Sequence, residues 1–255
     1  MLVTIRYTLL TAIRDLLYSG LLLAVLFAIV LSVFIGGTAL AEQQQMSVVY
    51  IAASTRIVFV VGMILFVCFH VRRMFDNREI DMILSMPISR SSFVLSYCLG
   101  FVIVAILAIL PVFLFLSLFF SVDLAGALFW VLSILMEVML VIAFALASAF
   151  ILGSATTSAL ACFGFYILSR IIGFFVASVA MPGSLYSDSK LSMFIITLLK
   201  GISTLLPRLD FYGKSSWLVY GIGQTQDILL CVLQFLPYFG LLLAIAVFDI
   251  KRKDF

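Results

Sequence analysis

Apolar residues fall in long, nearly unbroken blocks along this chain, and polar residues collect between them. The blocks are Leu16–Ala41, Val48–Phe69, Ser92–Phe120, Ala125–Leu152, Ala159–Ala180 and Ile228–Phe248. A helix that crosses a bilayer needs about 20 largely apolar residues, so the pattern predicts six membrane spans. Helices are the expected form, because lipid offers no partners for unpaired backbone groups. A β-barrel would show short alternating segments of about ten residues, and these blocks do not alternate. Leu191–Leu206 is apolar too, but short and interrupted by Lys200. It reads as a re-entrant or interfacial helix ahead of the last span, ended by Pro207.

Composition strengthens this reading. Apolar residues make up 65% of the 255 and charged residues 11%, whereas soluble domains run near a quarter charged. The first block is too long for the apolar core of a signal peptide, and no A-x-A site follows it. The longest candidate for a soluble domain, Met181–Gln226, is too short and too apolar. The expectation is a single transmembrane domain over residues 1–255, all-α and polytopic, in contact with the lipid bilayer. A net charge of +3 gives no ground for a nucleic-acid partner. The four cysteines, Cys68, Cys98, Cys162 and Cys231, have no C-x-x-C spacing, so neither a zinc site nor a disulfide framework is indicated. No metal site is expected.

The basic residues set an orientation. Cytoplasmic loops collect Lys and Arg. With both termini inside, the inside set is Arg6, Arg14, Arg72, Arg73, Arg78, Arg90, Lys251, Arg252 and Lys253. The outside set is Lys190, Lys200, Arg208 and Lys214, with Arg56 and Arg170 inside spans. The expected location is the cell (inner, cytoplasmic) membrane, multi-pass, with cytoplasmic termini.

The connection between the second and third spans, His70–Ser91, holds the densest charge. Asn77, Asp81 and Ser85 recur every fourth residue and form one polar line on a helix. Ile80, Ile83 and Leu84 form an apolar stripe beside it. Pro87 stops that helix, and Ser89, Ser91 and Ser92 can cap the next. The segment Asp76–Met86 therefore predicts a short amphipathic helix on the cytoplasmic face. It is either a solvated loop with basic anchors or a docking helix for a cytoplasmic partner.

The run NREIDMILSMPISRSSFVLSY, Asn77–Tyr97, resembles the first cytoplasmic loop of ABC-2-type permeases, the six-span membrane subunits of ABC exporters. Members often read acidic-Gly-Thr, an acidic residue, three apolar residues, then Ser-x-Pro-x-Ser-Arg. Asp81, Met82–Leu84, Ser85, Pro87, Ser89 and Arg90 stand at the matching places, while Arg78 and Glu79 replace Gly-Thr. The amphipathic start at Met1–Asp15 resembles the family's N-terminal connecting helix, and the apolar piece before the last span resembles its external re-entrant helix. The tail Phe248–Phe255 has the same flavour. The resemblance implies a coupling helix to a separate ATPase, carried by Asp76, Glu79, Asp81, Ile83, Leu84, Pro87 and Arg90. It implies a pair of ATPase subunits, and a second copy of this chain or a similar permease. The chain has no G-x-x-x-x-G-K-[ST] loop for cradling phosphates. No cofactor is expected on the chain itself, and ATP and Mg belong to the partner, so the chain is not expected to be an enzyme.

Arg56, Glu137 and Arg170 lie within spans. Such residues are expensive in lipid and usually face protein or water. At about 1.5 Å per residue, they fall roughly 12, 18 and 15 Å from their outer span ends, so all three can meet at one level in the outer half. Glu137 shares a helix face with Ala145, Ala149 and Gly153, and Arg170 with Gly173 and Ala177, where helices approach closely. Two readings stand: an ion pair that locks spans together, or a polar element of a translocation cavity meeting an anionic substrate group. His70, the single histidine, is expected at the cytoplasmic interface. A non-transporting membrane anchor or regulatory subunit is the alternative function. An ion-coupled carrier comes next, though it would normally show broken helices and repeats.

Overall fold

The computed structural model describes residues 2–40, 42–80, 89–180, 197–198, 201–204, 206–221 and 225–252. Among the described residues the regular structure is helical throughout, with no strand. The helices are α1 (Leu2–Arg14), α2 (Leu16–Gly37), α3 (Gln43–Asp76), α4 (Arg90–Phe119), α5 (Leu124–Ile151), α6 (Ala155–Ala180), α7 (Ser216–Tyr220) and α8 (Thr225–Arg252). A 3₁₀ turn at Leu209–Phe211 precedes α7. Six of the helices, α2 to α6 and α8, are long and apolar enough to cross a membrane.

Capping residues punctuate this succession. Asp15 breaks the chain between α1 and α2, and its side chain accepts the Leu17 N–H at 3.1 Å. Ser89 caps α4 by accepting the Ser92 N–H at 3.2 Å. Asp123 caps α5 by accepting the Gly126 N–H at 2.8 Å. Each satisfies one of the orphan donors of a helix start.

Antiparallel α2 and α3 pack along their length. Leu21 of α2 fills the space over Gly62 of α3, where any added Cβ would collide with it. The centre is α5, which is buried around almost its whole circumference and touches α3, α4, α6, α7 and α8. Its Trp130, Ile134, Val138, Ile142 and Leu146 form the middle of the core. In contrast, α8 lies on the outside, with Leu229, Leu233, Leu236, Leu241 and Phe248 exposed. An apolar groove of about 690 Å³ runs between α2 and α4, lined by Val25, Ile29, Pro111 and Phe115 among others. Exposed apolar surface on this scale suits helices whose solvent is lipid rather than water.

The helix ends differ from expectation in one informative place. Expected in a separate loop helix, Asp76 is instead the last residue of α3, which runs 34 residues, roughly 51 Å. Arg72 and Asp76 pair at 2.9 Å one turn apart, which extends the helix past the apolar block. The chain then breaks at Asn77–Arg78, where Arg78 has φ +55°, and Glu79–Ile80 resume helical structure. Arg90 belongs to the first turn of α4, behind the Ser89 cap. Asp81, Ile83, Leu84 and Pro87 lie outside the described residues. The expected re-entrant helix at 191–206 is helical at 197–198 and 201–204, and most of the remainder also lies outside them.

Candidate functional site: a buried charge cluster under the 206–221 segment

Between residues 206 and 221, ahead of α8, the chain does not run wholly over the surface. Pro207, Leu209, Tyr212, Gly213, Trp217 and Leu218 are all buried between helices. Burying irregular backbone creates unpaired carbonyls that need donors. The helices supply those donors as charged side chains.

Arg56 of α3 reaches Glu137 of α5 with Nε at 2.7 Å and Nη2 at 2.6 Å from Oε2. The two side chains are 6% and 0% exposed. Arg56 also donates Nη1 to the Gly213 carbonyl at 3.1 Å and Nη2 to the Leu209 carbonyl at 3.1 Å. Arg170 of α6 donates Nη1 to that same Leu209 carbonyl at 2.6 Å and to the Tyr212 carbonyl at 3.5 Å. The structure thus brings Arg56, Glu137 and Arg170 to one place. Arg56 takes the carboxylate, and Arg170 shares a backbone acceptor with Arg56 instead of the acid. Beside one carboxylate and two guanidinium groups, the carbonyls of 209, 212 and 213 supply further acceptors, and the Asp210 carboxyl stands over Gly173, one turn along α6 from Arg170.

Local sequence makes this geometry possible. Gly213 has φ +60°, a conformation that favours glycine, and an added Cβ would stand 2.9 Å from Arg56 Cζ. Its N–H donates to Ser133 Oγ at 3.0 Å, and Ser133 sits one turn before Glu137 on the same face of α5. Gly173, one turn after Arg170 on α6, lets the Asp210 carboxyl lie where a Cβ would otherwise be. Tyr212 donates its hydroxyl to the Cys231 carbonyl of α8 at 2.9 Å, and burial pushes that phenol above its ordinary value, so it stays a donor. Nearer the surface, Arg208 pairs with Asp210 at 2.9 Å and Lys214 with Asp227 at 3.2 Å. The small-residue face expected beyond Glu137 is present at Ala145 and Ala149, both buried. Gly153 lies past the end of α5 and is exposed.

The sequence reading missed Ser133, the Gly213 turn and the carbonyls of 209–213. Ser133, four residues before Glu137, was the available signal. The carbonyls had none, because any residue carries one.

The other predicted set sits at the opposite, basic end of the bundle. Glu79 accepts the Tyr7 hydroxyl of α1 at 3.0 Å and the Asn77 amide at 3.1 Å. Burial, then the bond to Glu79, pushes the Tyr7 hydroxyl above its ordinary value. Arg90 donates to the carbonyls of Ile250 at 3.0 Å and Lys251 at 3.2 Å in the last turn of α8. Asp76 stays exposed beside Arg72. His70 sits at this same end, buried inside the bundle: it is 6% exposed and wedged between Phe66 and Phe101.

The cysteines are all buried thiols. Cys68 of α3 and Cys162 of α6 have their Sγ atoms 3.9 Å apart. Among the described residues, no group of three or more His, Cys, Asp or Glu is placed to hold a metal. No protein-family model and no curated protein matches the chain.

Proposed function

We propose that the chain is the membrane-spanning permease subunit of an ATP-binding cassette exporter of the ABC-2 type. In this reading the basic end is cytoplasmic, both termini lie there, and the protein resides in the cell membrane. A separate pair of ATPase subunits supplies the energy and docks on the α3–α4 connection. A second permease, this chain or a similar one, completes the membrane half.

The observation that carries the proposal is the anchoring of that connection at both ends. A coupling element must pass movement into the spans, so its roots must be fixed to more than their own helices. Glu79 ties the end of α3 to α1 through Tyr7, and Arg90 ties the start of α4 to the end of α8. Movement at the connection is thereby shared by four helices. The charge cluster then serves as the clamp that holds the 206–221 segment in the outer half, closing the bundle on that side.

Co-purification tests the proposal directly. The tagged chain, isolated from its native membrane, should bring an ATPase with it, identified by mass spectrometry. Asp81→Lys should lower that recovery while leaving melting of the isolated chain unchanged. Surface substitutions usually move stability by no more than about 0.5 kcal/mol, whereas a misplaced interface charge costs several. An unchanged ATPase yield, with unchanged transport, removes the docking assignment.

One observation favours the rival reading, a non-transporting membrane anchor. Arg56 and Glu137 bond to each other and Arg170 to backbone carbonyls, so the charges hold the chain together. That reading predicts membrane insertion with no ATPase recovered in any amount.

A further inference from the structure

We infer that His70, with Asp15 and Arg73, forms a proton-binding site at the basic end of the bundle, in which a proton taken by His70 changes the partner of Asp15. The site lies away from the charge cluster and does not depend on the exporter reading.

Asp15 is buried between α1 and α2, its side chain 3% exposed. Oδ1 accepts the Leu17 N–H as the helix cap. Oδ2 takes Arg73 Nη1 at 3.0 Å and lies 3.9 Å from His70 Nδ1. That second distance is too long for a hydrogen bond. Among the described residues, neither buried ring nitrogen of His70 has a hydrogen-bond partner. A cavity of about 70 Å³, lined by Tyr7, Thr11, Asp15, His70, Arg73, Met74 and Glu79, opens beside the ring. The space admits a small movement of the imidazole or the carboxylate.

The titratable groups beside His70 come from several elements: Asp15 from the α1–α2 junction, Tyr7 from α1, Arg73 from α3 and Glu79 from just beyond it. Tyr18 of α2 and Tyr97 of α4 stand one ring further away, against Phe66 and Phe101. Two carboxylates stand against one guanidinium, so one further positive charge would balance them. The rings of Phe66 and Phe101 hold the imidazole in place, at centroid distances of 5.5 Å each.

A neutral imidazole is tolerable here, at the cost of unmade hydrogen bonds. An imidazolium without a partner is not, because a buried unpaired charge is far more costly. A protonated His70 therefore needs Asp15 Oδ2, which lies 3.9 Å away, about 0.7 Å beyond hydrogen-bond reach. Arg73, whose side chain is 56% exposed, is released to water at little cost. The proton thus trades an α3 surface contact of Asp15 for a buried one. Since Asp15 caps α2 and follows α1, the exchange changes how the amphipathic helix is tied to α3.

His70 is the single histidine of the chain, which makes the test direct. The full chain, carrying isotope-labelled histidine and a histidine-free tag, is placed in lipid nanodiscs. Its imidazole nitrogen signal is followed by NMR between about pH 8 and pH 5, the range in which histidine changes charge. The wild type should pass from neutral to imidazolium. Asp15→Asn, which keeps a capping acceptor, should lose the imidazolium signal over the same range. Arg73→Gln, which frees the carboxylate, should raise the protonated fraction at a given pH. A wild-type signal that stays neutral throughout overturns the proposal. So does an imidazolium signal unchanged in both variants.

Discussion

Neutralising Glu137 tests the charge cluster as a whole. Its carboxylate is fully buried and receives both Nε and Nη2 of Arg56 on Oε2, at 2.7 and 2.6 Å. In Glu137→Gln the Arg56 guanidinium remains charged and 6% exposed, left with the Gly213 and Leu209 carbonyls. Removing one partner of a buried pair costs about 3–5 kcal/mol. Because two carbonyl bonds survive, the cost falls at the lower end, about 3 kcal/mol. Arg56→Gln is worse, about 5 kcal/mol. It strands a carboxylate whose Oε1 accepts no hydrogen bond among the described residues, and it removes two donors from the buried turn. Trp130 and Trp217, the only tryptophans in the chain, are both buried. Their fluorescence follows unfolding of this region in detergent. At a few degrees per kcal/mol, Glu137→Gln should lower the midpoint by about 6–12 °C. Adding Arg56→Gln should recover part of the loss, since the second change removes the stranded charge. Adding Arg170→Gln should recover none, because Arg170 bonds to carbonyls and not to the acid. An unchanged midpoint in Glu137→Gln, or recovery through Arg170→Gln instead of Arg56→Gln, refutes the assigned pairing.

Further expectations concern the turn, its seat and the orientation. Gly213→Ala should destabilise by at least about 1–2 kcal/mol from the left-handed backbone alone, and more from displacing Arg56, read by the same fluorescence melt. Gly173→Ala should also destabilise, since its Cβ meets the Asp210 carboxyl, whereas Gly164→Ala, with open space around it, should be neutral or slightly stabilising. Lys214→Ala removes a half-exposed pair with Asp227 and should change the midpoint by no more than about 1 kcal/mol equivalent. For orientation, an impermeant thiol reagent applied outside cells should label Met46→Cys but neither Arg14→Cys nor Arg252→Cys, the native thiols being buried. Outside labelling at Arg252→Cys would place the end of α8 outside and remove the docking surface from the cytoplasm.

How much of this was legible follows from which interactions leave a trace in residue type. Apolar block length marks a helix that must match a bilayer, so the helices are readable from hydropathy alone. Their ends are readable where a cap marks them, as at Asp123 and Ser89, and unreadable where a surface ion pair extends the helix, as Arg72 and Asp76 do for α3. Intramembrane charge is conspicuous for a different reason: lipid makes it too costly to keep without a partner. Arg56, Glu137 and Arg170 therefore announce a meeting point, and counting residues from the block ends places them at one depth. What residue type does not encode is how the charges divide among their partners. That division depends on backbone carbonyls of 209–213, which exist in every residue and become acceptors only because this stretch is irregular and buried. The same blindness hid the role of His70. Sequence distance from the apolar block gives its level along α3 and not its surroundings, and the rings of Phe66 and Phe101 close over it. A charged side chain in lipid declares that it needs a partner. A neutral imidazole declares nothing until its surroundings show both nitrogens unsatisfied, which is why the cluster could be anticipated from the sequence and the histidine site had to be found in the structure.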